Sequence, residues 1–400
     1  SDLYPFQETV AKSEDEEEII EKIDIGGISL IRAAAKNFND VLICASRNDY
    51  PSLLETLNRN NCATEISERQ HFASKAFAVT SNYDAAIFNY FNETACLPVF
   101  KKSIHSSRTL RYGENPHQHG LFYGELNELL EQLHGKELSY NNLVDVDAAM
   151  ELIREFDEPT FAVIKHTNAC GVASDNDLKE AWKKALAGDP VSAFGGVIIT
   201  NRKIDAATAA LVNELFLEIL IAPGYDSDAL EILKSKKNRM ILIQKKNLAE
   251  GKNFKSLLNG VIEQDQDAVT DKAENFKTVT KKSPEKNQFC DLEFASKVCK
   301  NLKSNTIVLA RNKQLLGMGC GQTSRVDALE QAIAKAKKFR FDLNGAVMAS
   351  DAFFPFPDCV EIAHKAGIAA VIQPGGSVKD NESIDYCNAH AMAMVQTGIR

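Results

Sequence analysis

Short apolar runs alternate with helical stretches from Arg108 to the end of the chain. Each run has three or four residues and fits a strand that is buried on both faces. The stretches between the runs have the spacing of helices. This alternation predicts β-α-β units and a mostly parallel sheet, which is an α/β fold. The runs are residues 161–164, 197–199, 306–309, 346–348 and 369–372.

The first hundred residues have a mainly helical pattern. The helical stretches are residues 15–35, 51–57 and 68–91, the first of them interrupted by a turn at 23–27. The apolar run at 41–44 suits a buried strand. Residues 92–107 are polar and irregular, which predicts a domain boundary there.

Residues 245–287 are rich in lysine and poor in large apolar side chains. This composition predicts an exposed connection between two α/β halves, with a small edge strand near Phe276–Thr280. Each half has strand, polar loop and helix in a similar order, which raises a structural duplication as a hypothesis.

Composition narrows the classes of function. The 400 residues are 44% hydrophobic and 25% charged, as in ordinary globular proteins. The net charge of −9 argues against nucleic acid or an anionic membrane surface as a partner. The longest apolar runs are far shorter than the roughly 20 residues that span a bilayer.

The nine cysteines are scattered, and no two of them stand in a C-x-x-C pair. This usage favours a reducing cytoplasm, and the start of the chain has no secretory pattern. The same spacing argues against a structural zinc site, so we expect no transition metal.

Lys165 and His166 directly follow the apolar run 161–164, so we expect them at the carboxyl end of a strand. Open α/β sheets place their sites there. Histidine accepts a proton at neutral pH, and a neighbouring ammonium group can stabilise an oxyanion or donate a proton. The alternative is a pair of loop residues with no chemical role.

Arg111 and Tyr112 lie on a segment that Gly113 and Pro116 keep irregular. A guanidinium group beside a phenol suits a phosphate group, although a solvated turn is an equal alternative. Arg325 follows the glycine-rich stretch 317–321 and should lie at the start of a helix, where an anion is stabilised.

For the other glycine-rich and aromatic segments, the sequence allows either a functional or a structural interpretation. The glycine stretches either approach a ligand closely or form tight turns, and none matches a dinucleotide or triphosphate motif. The aromatic residues in 351–356 either pack in the core or stack on a flat ring.

These segments together resemble the bifunctional purine-biosynthesis enzymes that join aminoimidazole carboxamide ribonucleotide (AICAR) formyltransferase to inosine monophosphate (IMP) cyclohydrolase. The resemblance covers residues 108–400 as the transformylase domain. The segments that match, in the family's order, are 110–118, 165–173, 192–196, 221–225, 317–325, 350–358 and 374–377.

The resemblance implies formyl transfer from 10-formyltetrahydrofolate to the 5-amino group of AICAR, without a transition metal. His166 would receive the amine proton, and Lys165 would stabilise the oxyanion or protonate the departing folate nitrogen. Which of the two performs the acid step stays open. Asn312 would hold the substrate amide. The implied substrate contacts are Arg111, Tyr112, Gly195, Glu218 (where many relatives have Asp), Arg325, Phe353, Asp358 and Arg400; no residue is assigned to the folate.

Residues 1–92 resemble only the second half of the cyclohydrolase domain, with 93–107 as a linker. Tyr4, Asp24 and Lys36 match cyclohydrolase residues, but the family's phosphate-binding residues have no counterpart. We therefore expect the 400 residues alone to lack cyclohydrolase activity, because an unanchored substrate loses the advantage of positioning.

The family's transformylase domain is a pair of α/β subdomains similar to cytidine deaminase, and its cyclohydrolase domain is similar to methylglyoxal synthase. The family is a homodimer whose transformylase sites use both subunits. A zinc deaminase is one rival, but it needs H-x-E and P-C-x-x-C, and this sequence has His166-Thr167-Asn168 and no C-x-x-C. A nucleotide-binding or scaffolding protein without turnover is another.

Overall fold

A computed structural model describes residues 2–248 and 251–399, and the chain divides into two compact units. The first unit contains residues up to Arg108 together with Phe122–Gly124. The second contains Thr109–Leu121 and the described residues from Glu125 onward. Strands β1 (Ser107–Thr109) and β2 (Leu121–Tyr123) form a two-stranded sheet where the chain passes from one unit to the other.

The regular elements of the first unit up to residue 106 are helices. Its helices are α1 (Phe6–Val10), α2 (Glu16–Ile20), α3 (Gly26–Lys36), α4 (Tyr50–Arg59) and α5 (Ile66–Ala95). Helix α5 begins with a capping box between Glu65 and Glu68. The strand predicted at 41–44 is wrong: among residues 2–248 and 251–399, this segment has no neighbouring strand with which to form ladder hydrogen bonds.

The second unit is built on one twelve-stranded sheet in the order β11-β16-β15-β14-β12-β13-β5-β4-β6-β7-β8-β3. The elements of its first half are α6 (Leu126–Leu129), β3 (Leu130–His134), α7 (Tyr140–Ile153), β4 (Thr160–Lys165), β5 (Asn168–Ser174), α8 (Leu178–Gly188), β6 (Val197–Thr200), α9 (Ala206–Asn213), β7 (Ile219–Ala222), α10 (Ser227–Lys234) and β8 (Met240–Gln244).

The second half repeats this series. After an exposed hairpin of β9 (Lys252–Leu257) and β10 (Gly260–Asp265), its elements are β11 (Lys277–Thr278), α11 (Lys286–Lys300), β12 (Ile307–Arg311), β13 (Gln314–Gly319), α12 (Arg325–Lys338), β14 (Val347–Ser350), α13 (Asp358–Lys365), β15 (Ala370–Gln373), α14 (Asp380–Ala389) and β16 (Ala393–Gln396). Strand β11 is an edge strand, as the sequence predicts.

The two halves are related by a pseudo-two-fold arrangement about the junction of β5 and β13. Strand by strand outward from this junction, β5, β4, β6, β7, β8 and β3 correspond to β13, β12, β14, β15, β16 and β11. The junction is antiparallel and pairs Ala173 with Gln314. The structure thus supports the duplication raised by the sequence.

The prediction of a mostly parallel sheet is wrong. Among the eleven strand pairings in the described part of this sheet, only β6–β7, β7–β8, β14–β15 and β15–β16 are parallel. The β4–β5 and β12–β13 hairpins make the centre antiparallel. Apolar runs show that a strand is buried on both faces, but they do not show its direction.

Helices cover both faces of the sheet. On one face α7 and α11 share a single core that includes Ile153 and Phe294. On the other face α8–α10 cover the first half around Trp182, and α12–α14 cover the second half around Phe354. Burial of these apolar faces is the main favourable contribution to the stability of the sheet.

We call the upper edge the end of the sheet where β4, β14, β15 and β16 end. Strands β6, β7 and β8 begin at this edge, because β6 is antiparallel to β4 and the other two are parallel to β6. Strand β13 also ends here and β12 begins here. The opposite end is the lower edge.

Candidate active site

Lys165 is the last residue of β4 and lies at the upper edge. Its ammonium group donates to the backbone carbonyls of Phe194 and Gly195, both at 3.0 Å. The Gly195 amide donates to the Phe216 carbonyl at 2.8 Å. An ammonium group has three N–H donors, so one remains beyond these two bonds for a substrate oxygen.

His166 lies beside Lys165, in the two-residue turn between β4 and β5. Both His166 and Thr167 have positive φ, at 51° and 62°. The Thr167 amide donates to the Asp145 carboxylate at 2.7 Å, and the Asn168 side chain donates to the His166 carbonyl at 2.8 Å. His166 is exposed, so its side chain is able to reach a substrate.

The amino end of α7 brings two further predicted residues to this edge. The Tyr140 amide donates to the Tyr112 carbonyl at 3.4 Å. The Asn142 side chain, part of the capping box with Ser139, donates to the Glu218 carboxylate at 3.2 Å. Tyr112 and Glu218 therefore contact the same helix whose Asp145 holds the turn at His166.

Arg111 and Tyr112 contact each other. The Arg111 guanidinium group donates to the Tyr112 hydroxyl at 2.9 Å and stacks 4.7 Å from the centre of its ring. Arg111 is exposed and Tyr112 is half-buried. The pair presents an oriented cation to solvent, a suitable partner for a phosphate group.

A second group of predicted residues lies at the upper edge of the second half. Arg325 begins α12, as expected, but its guanidinium group already donates to Asp351 at 2.9 Å and to the Ser350 hydroxyl at 2.8 Å. Burial alone would raise the pKa of Asp351. Hydrogen bonds from Ser304, the Thr306 amide and Arg325 outweigh burial, so the pKa lies below its usual value.

Phe353 and Asp358 lie in and just after the loop that follows β14. The Phe353 side chain is exposed, whereas its neighbour Phe354 is fully buried. The core-packing interpretation is therefore confirmed for Phe354, whereas stacking of Phe353 on a flat ring stays a prediction. The Asp358 carboxylate accepts from the Cys359 amide at 2.8 Å at the start of α13.

A hydrogen bond between Asn168 and Cys320 connects the predicted residues of the first half with those of the second half at the centre of the upper edge. The Cys320 thiol donates to the Asn168 side-chain oxygen at 3.2 Å. Burial raises the pKa of Cys320, so this thiol stays protonated and can donate.

Asn312 is not at this edge. It lies in the β12–β13 turn, where Ala173 pairs with Gln314 and the Ser174 amide donates to the Lys313 carbonyl at 3.0 Å. Strand β5 separates this turn from His166 by roughly 20 Å, at about 3.4 Å per residue. Within one chain, the expected grouping of Asn312 with Lys165 and His166 is therefore wrong.

The glycines of 317–319 do not form a tight turn. Gly317 and Gly319 lie in β13, where a Cβ atom would approach the carbonyls of Ala332 and Ala328 in α12 to 2.3 and 2.0 Å. They allow the helix to pack closely on the strand.

The residues that match the cyclohydrolase belong to the first unit. Asp24 precedes α3 and accepts from the Gly27 amide at 2.6 Å, whereas Lys36 is the last residue of α3. At 1.5 Å per residue the two ends of this helix lie about 15 Å apart. Tyr4 is exposed. Arg400 lies outside the described residues.

The sequence analysis missed an exposed aromatic pair beside Lys165. The rings of Phe194 and Phe216 lie 4.8 Å apart, and their residues are 59% and 54% exposed. Two phenylalanines exposed side by side at a site offer a stacking surface for a flat ring. The two residues are 22 positions apart in the sequence, so no local pattern predicts that their rings are in contact.

Within residues 2–248 and 251–399, no group of three or more His, Cys, Asp or Glu side chains is arranged to bind a metal ion. Among the helices of the same residues, none is both long and apolar enough to span a membrane.

Comparison with known proteins shows the family. The model of the family described as "AICARFT/IMPCHase bienzyme" matches residues 34–335. The chain belongs to the AICARFT/IMPCHase family. As a member of this family it is an enzyme of purine biosynthesis, a formyltransferase acting on AICAR, with IMP cyclohydrolase activity in the bifunctional enzyme.

Relatives of the AICARFT/IMPCHase family match the whole of this chain. The bifunctional purine biosynthesis protein PurH of Bacteroides thetaiotaomicron is 60% identical over 399 residues, and the match covers 78% of that protein. The proteins of the same name from Chlorobium chlorochromatii and Persephonella marina are 46% and 45% identical, with 79% and 80% of their lengths covered.

Among solved structures, the chain is similar to a diaminohydroxyphosphoribosylaminopyrimidine deaminase/5-amino-6-(5-phosphoribosylamino)uracil reductase of Thermotoga maritima. The similarity covers 27% of this chain at 18% identity, with a TM-score of 0.21. Similarity at this level supports no conclusion about fold or function.

Proposed function

We propose that the upper edge is the site at which the formyl group of 10-formyltetrahydrofolate is transferred to the 5-amino group of AICAR. The observation that supports this most strongly is the pairing of Lys165, fixed by two carbonyls of the 192–196 loop, with an exposed His166 beside it. A cation and a base next to each other are what attack by a weak amine on a formyl carbon requires.

In this proposal the amine nitrogen of AICAR forms a bond to the formyl carbon, and the carbonyl oxygen becomes an oxyanion. His166 takes the proton released from the amine. The third N–H of Lys165 donates to the oxyanion or supplies the proton to the departing folate nitrogen, whose bond to the carbon then breaks. In the first case the protonated His166 is the acid, and in the second case Lys165 is.

The nucleotide would be held by groups around the amino end of α7. Arg111 and Tyr112 suit the phosphate, because their stacked arrangement orients the guanidinium group. Glu218, held by Asn142, suits the ribose hydroxyls. The exposed rings of Phe194 and Phe216 suit a flat ring of either substrate.

We assign the substrate amide contact expected of Asn312 to Asn305. Asn305 lies just before β12 at the upper edge, and its side-chain nitrogen donates to the Gln322 carbonyl at 3.0 Å. This bond fixes the amide group in place. Asn312 has the same side chain but lies at the opposite edge.

We further propose that the enzyme is a homodimer whose sites use both subunits. In one chain, the end of β4 at Lys165 is four strand spacings from the end of β14 at Ser350, or roughly 19 Å. A second subunit that contributes part of the site would bring groups of both halves close to one formyl carbon.

Residues 108–400 would then be the transformylase domain, formed of two cytidine-deaminase-like halves. Residues 1–92 would be part of a cyclohydrolase domain similar to methylglyoxal synthase. The two compact units and the repeated series of elements support this division.

The replacement His166→Ala tests the proposal. General base catalysis typically contributes about 100- to 10,000-fold, so formyl transfer should fall by that range while AICAR binding persists. Folate absorbance measures the first and calorimetry the second. Near-normal turnover would remove His166 from the mechanism, and AICAR binding without turnover by the unmodified chain would favour a scaffolding role.

A further inference from the structure

The two central hairpins share a turn that is unfavourable for most residues. His166 and Thr167 have φ of 51° and 62°, and Asn312 and Lys313 have φ of 53° and 52°. Such turns favour Asn and Gly, because other side chains crowd the backbone at positive φ. Asn312 fits this preference and histidine also tolerates positive φ better than most residues, whereas the β-branched Thr167 does not fit it.

An aspartate holds each turn from the neighbouring helix. Asp145 is the sixth residue of α7, and its carboxylate accepts from the Thr167 amide at 2.7 Å. Asp291 is the sixth residue of α11, and its two oxygens accept from Asn312 at 2.9 Å and Lys313 at 2.7 Å. The same contact thus occurs in both halves, at opposite edges of the sheet.

We propose that Asp145 is a positioning residue for formyl transfer. By accepting the Thr167 amide it holds the left-handed turn from which the His166 side chain projects. The inference rests on the proposed role of His166 as the base. Asp291 does the same for a turn at the lower edge, remote from Lys165.

The position of Asp145 on α7 explains why this bond matters to the reaction. The same helix contacts Tyr112 through the Tyr140 amide and Glu218 through Asn142. Asp145 therefore fixes His166 relative to the proposed nucleotide contacts. A displacement of about 1 Å between reacting groups can lower a rate by about 100-fold.

Two replacements of Asp145 test the inference. Asp145→Ala removes the acceptor and should lower kcat by about 10- to 100-fold, with the KM of both substrates changed by less than about threefold. Asp145→Asn keeps an oxygen that can accept from Thr167 and should retain most of kcat. Unchanged kcat in Asp145→Ala would overturn the inference.

Asp291→Ala is the matched control, because it removes the same kind of contact from the β12–β13 turn. We expect a lower melting temperature and a kcat close to that of the unmodified chain. An equal loss of kcat in Asp145→Ala and Asp291→Ala would overturn the inference, since the loss would then follow from destabilisation alone.

Two double variants separate positioning from general stability. In a His166→Ala background, Asp145→Ala should cause no further loss, because the base that it positions is absent. A further loss of tenfold or more would overturn the inference. Thr167→Gly should restore part of kcat to Asp145→Ala, since glycine adopts positive φ without help; no recovery would count equally against it.

Failure of the proposed function gives a different result. If His166→Ala retained normal turnover, the role of His166 would be wrong, and the inference would fall with it. If His166→Ala were inactive but Asp145→Ala fully active, only the inference would fail.

Discussion

Lys165 has three N–H donors on its ammonium group, and two backbone carbonyls of the 192–196 loop accept hydrogen bonds from it. The side chain therefore shapes the loop and remains available to a substrate. Gly195 belongs to the same arrangement, because its φ is 68° and a Cβ atom there would lie 3.3 Å from the Lys165 Nζ atom. A side chain at this position would press directly on the ammonium group.

We predict that Gly195→Ala lowers formyl transfer more than Gly345→Ala. Gly345 has φ of 78°, and a Cβ atom there would contact nothing within 4 Å. Both replacements strain the backbone by about 1–2 kcal/mol, but only Gly195→Ala also displaces Lys165. Steady-state assays with melting temperatures distinguish the two effects. Equal activity at equal stability would contradict the importance of this contact.

We also predict opposite outcomes for two asparagines. Asn305→Ala should lower kcat/KM for AICAR by about tenfold or more, the effect of about 1.4 kcal/mol. Asn312→Ala should leave it near that of the unmodified enzyme, because Asn312 lies at the lower edge. Kinetics of the two variants decide between these positions. The reverse result would restore the role that the family resemblance implied for Asn312.

At the scale of elements, α12 lies close to β13 because both present small residues. Gly317 and Gly319 face the backbone of a helix that buries Ala328, Ala332 and Ala336. The same relation occurs in the first half, where a Cβ atom on Gly171 would meet the Ala185 carbonyl of α8 at 2.0 Å. Close packing of helix on strand is thus a repeated feature of both halves.

Gly317→Ala should therefore destabilise the protein by about 1–3 kcal/mol, as overpacking of a tight interior does. Gly224→Ala is the control, since its Cβ atom would make an ordinary contact of 3.5 Å with Lys203. Urea unfolding measures both. A Gly317→Ala variant as stable as Gly224→Ala would show that the helix moves away without penalty.

The sequence predicts the positions of many strands of the sheet but little of their directions. The runs at 161–164 and 306–309 locate β4 and β12, because continuous apolar residues indicate burial on both faces. The sequence does not predict the β4–β5 and β12–β13 hairpins, because their turns, His166-Thr167 and Asn312-Lys313, contain no glycine or proline. The alternation of strands and helices favoured crossover connections instead. The grouping of Asn312 with His166 had a different origin, because it was implied by the family resemblance and not by the pattern of strands and helices.

The contacts between side chains could not be predicted from the sequence for a different reason. Lys165 and His166 were identified because they follow a strand, and their placement at its end is confirmed. Phe216, Asn142 and Asp145 come from other elements, and only the pairing of strands and the packing of α7 on the sheet bring them near. Sequence spacing contains no information on such contacts.

At the scale of the whole molecule, we predict that the purified enzyme contains no stoichiometric transition metal and that chelators leave formyl transfer unchanged. The described residues present no cluster of three metal-binding side chains, and burial raises the pKa of Cys170, Cys359 and Cys387 to about 12. Buried protonated thiols do not bind metals. Elemental analysis checks this, and one zinc per chain would revive the deaminase hypothesis.

The pseudo-two-fold sheet also has a consequence for synthesis on the ribosome. All strands of the first half come from residues 130–244, so its part of the sheet and the core under α8–α10 can form before the second half is made. The core under α7 is different, because it includes Phe294 and Val298 of α11. A nascent chain that stops at Gln244 therefore exposes apolar surface on one face. We expect this exposed surface to make the nascent chain prone to aggregate at this stage of translation.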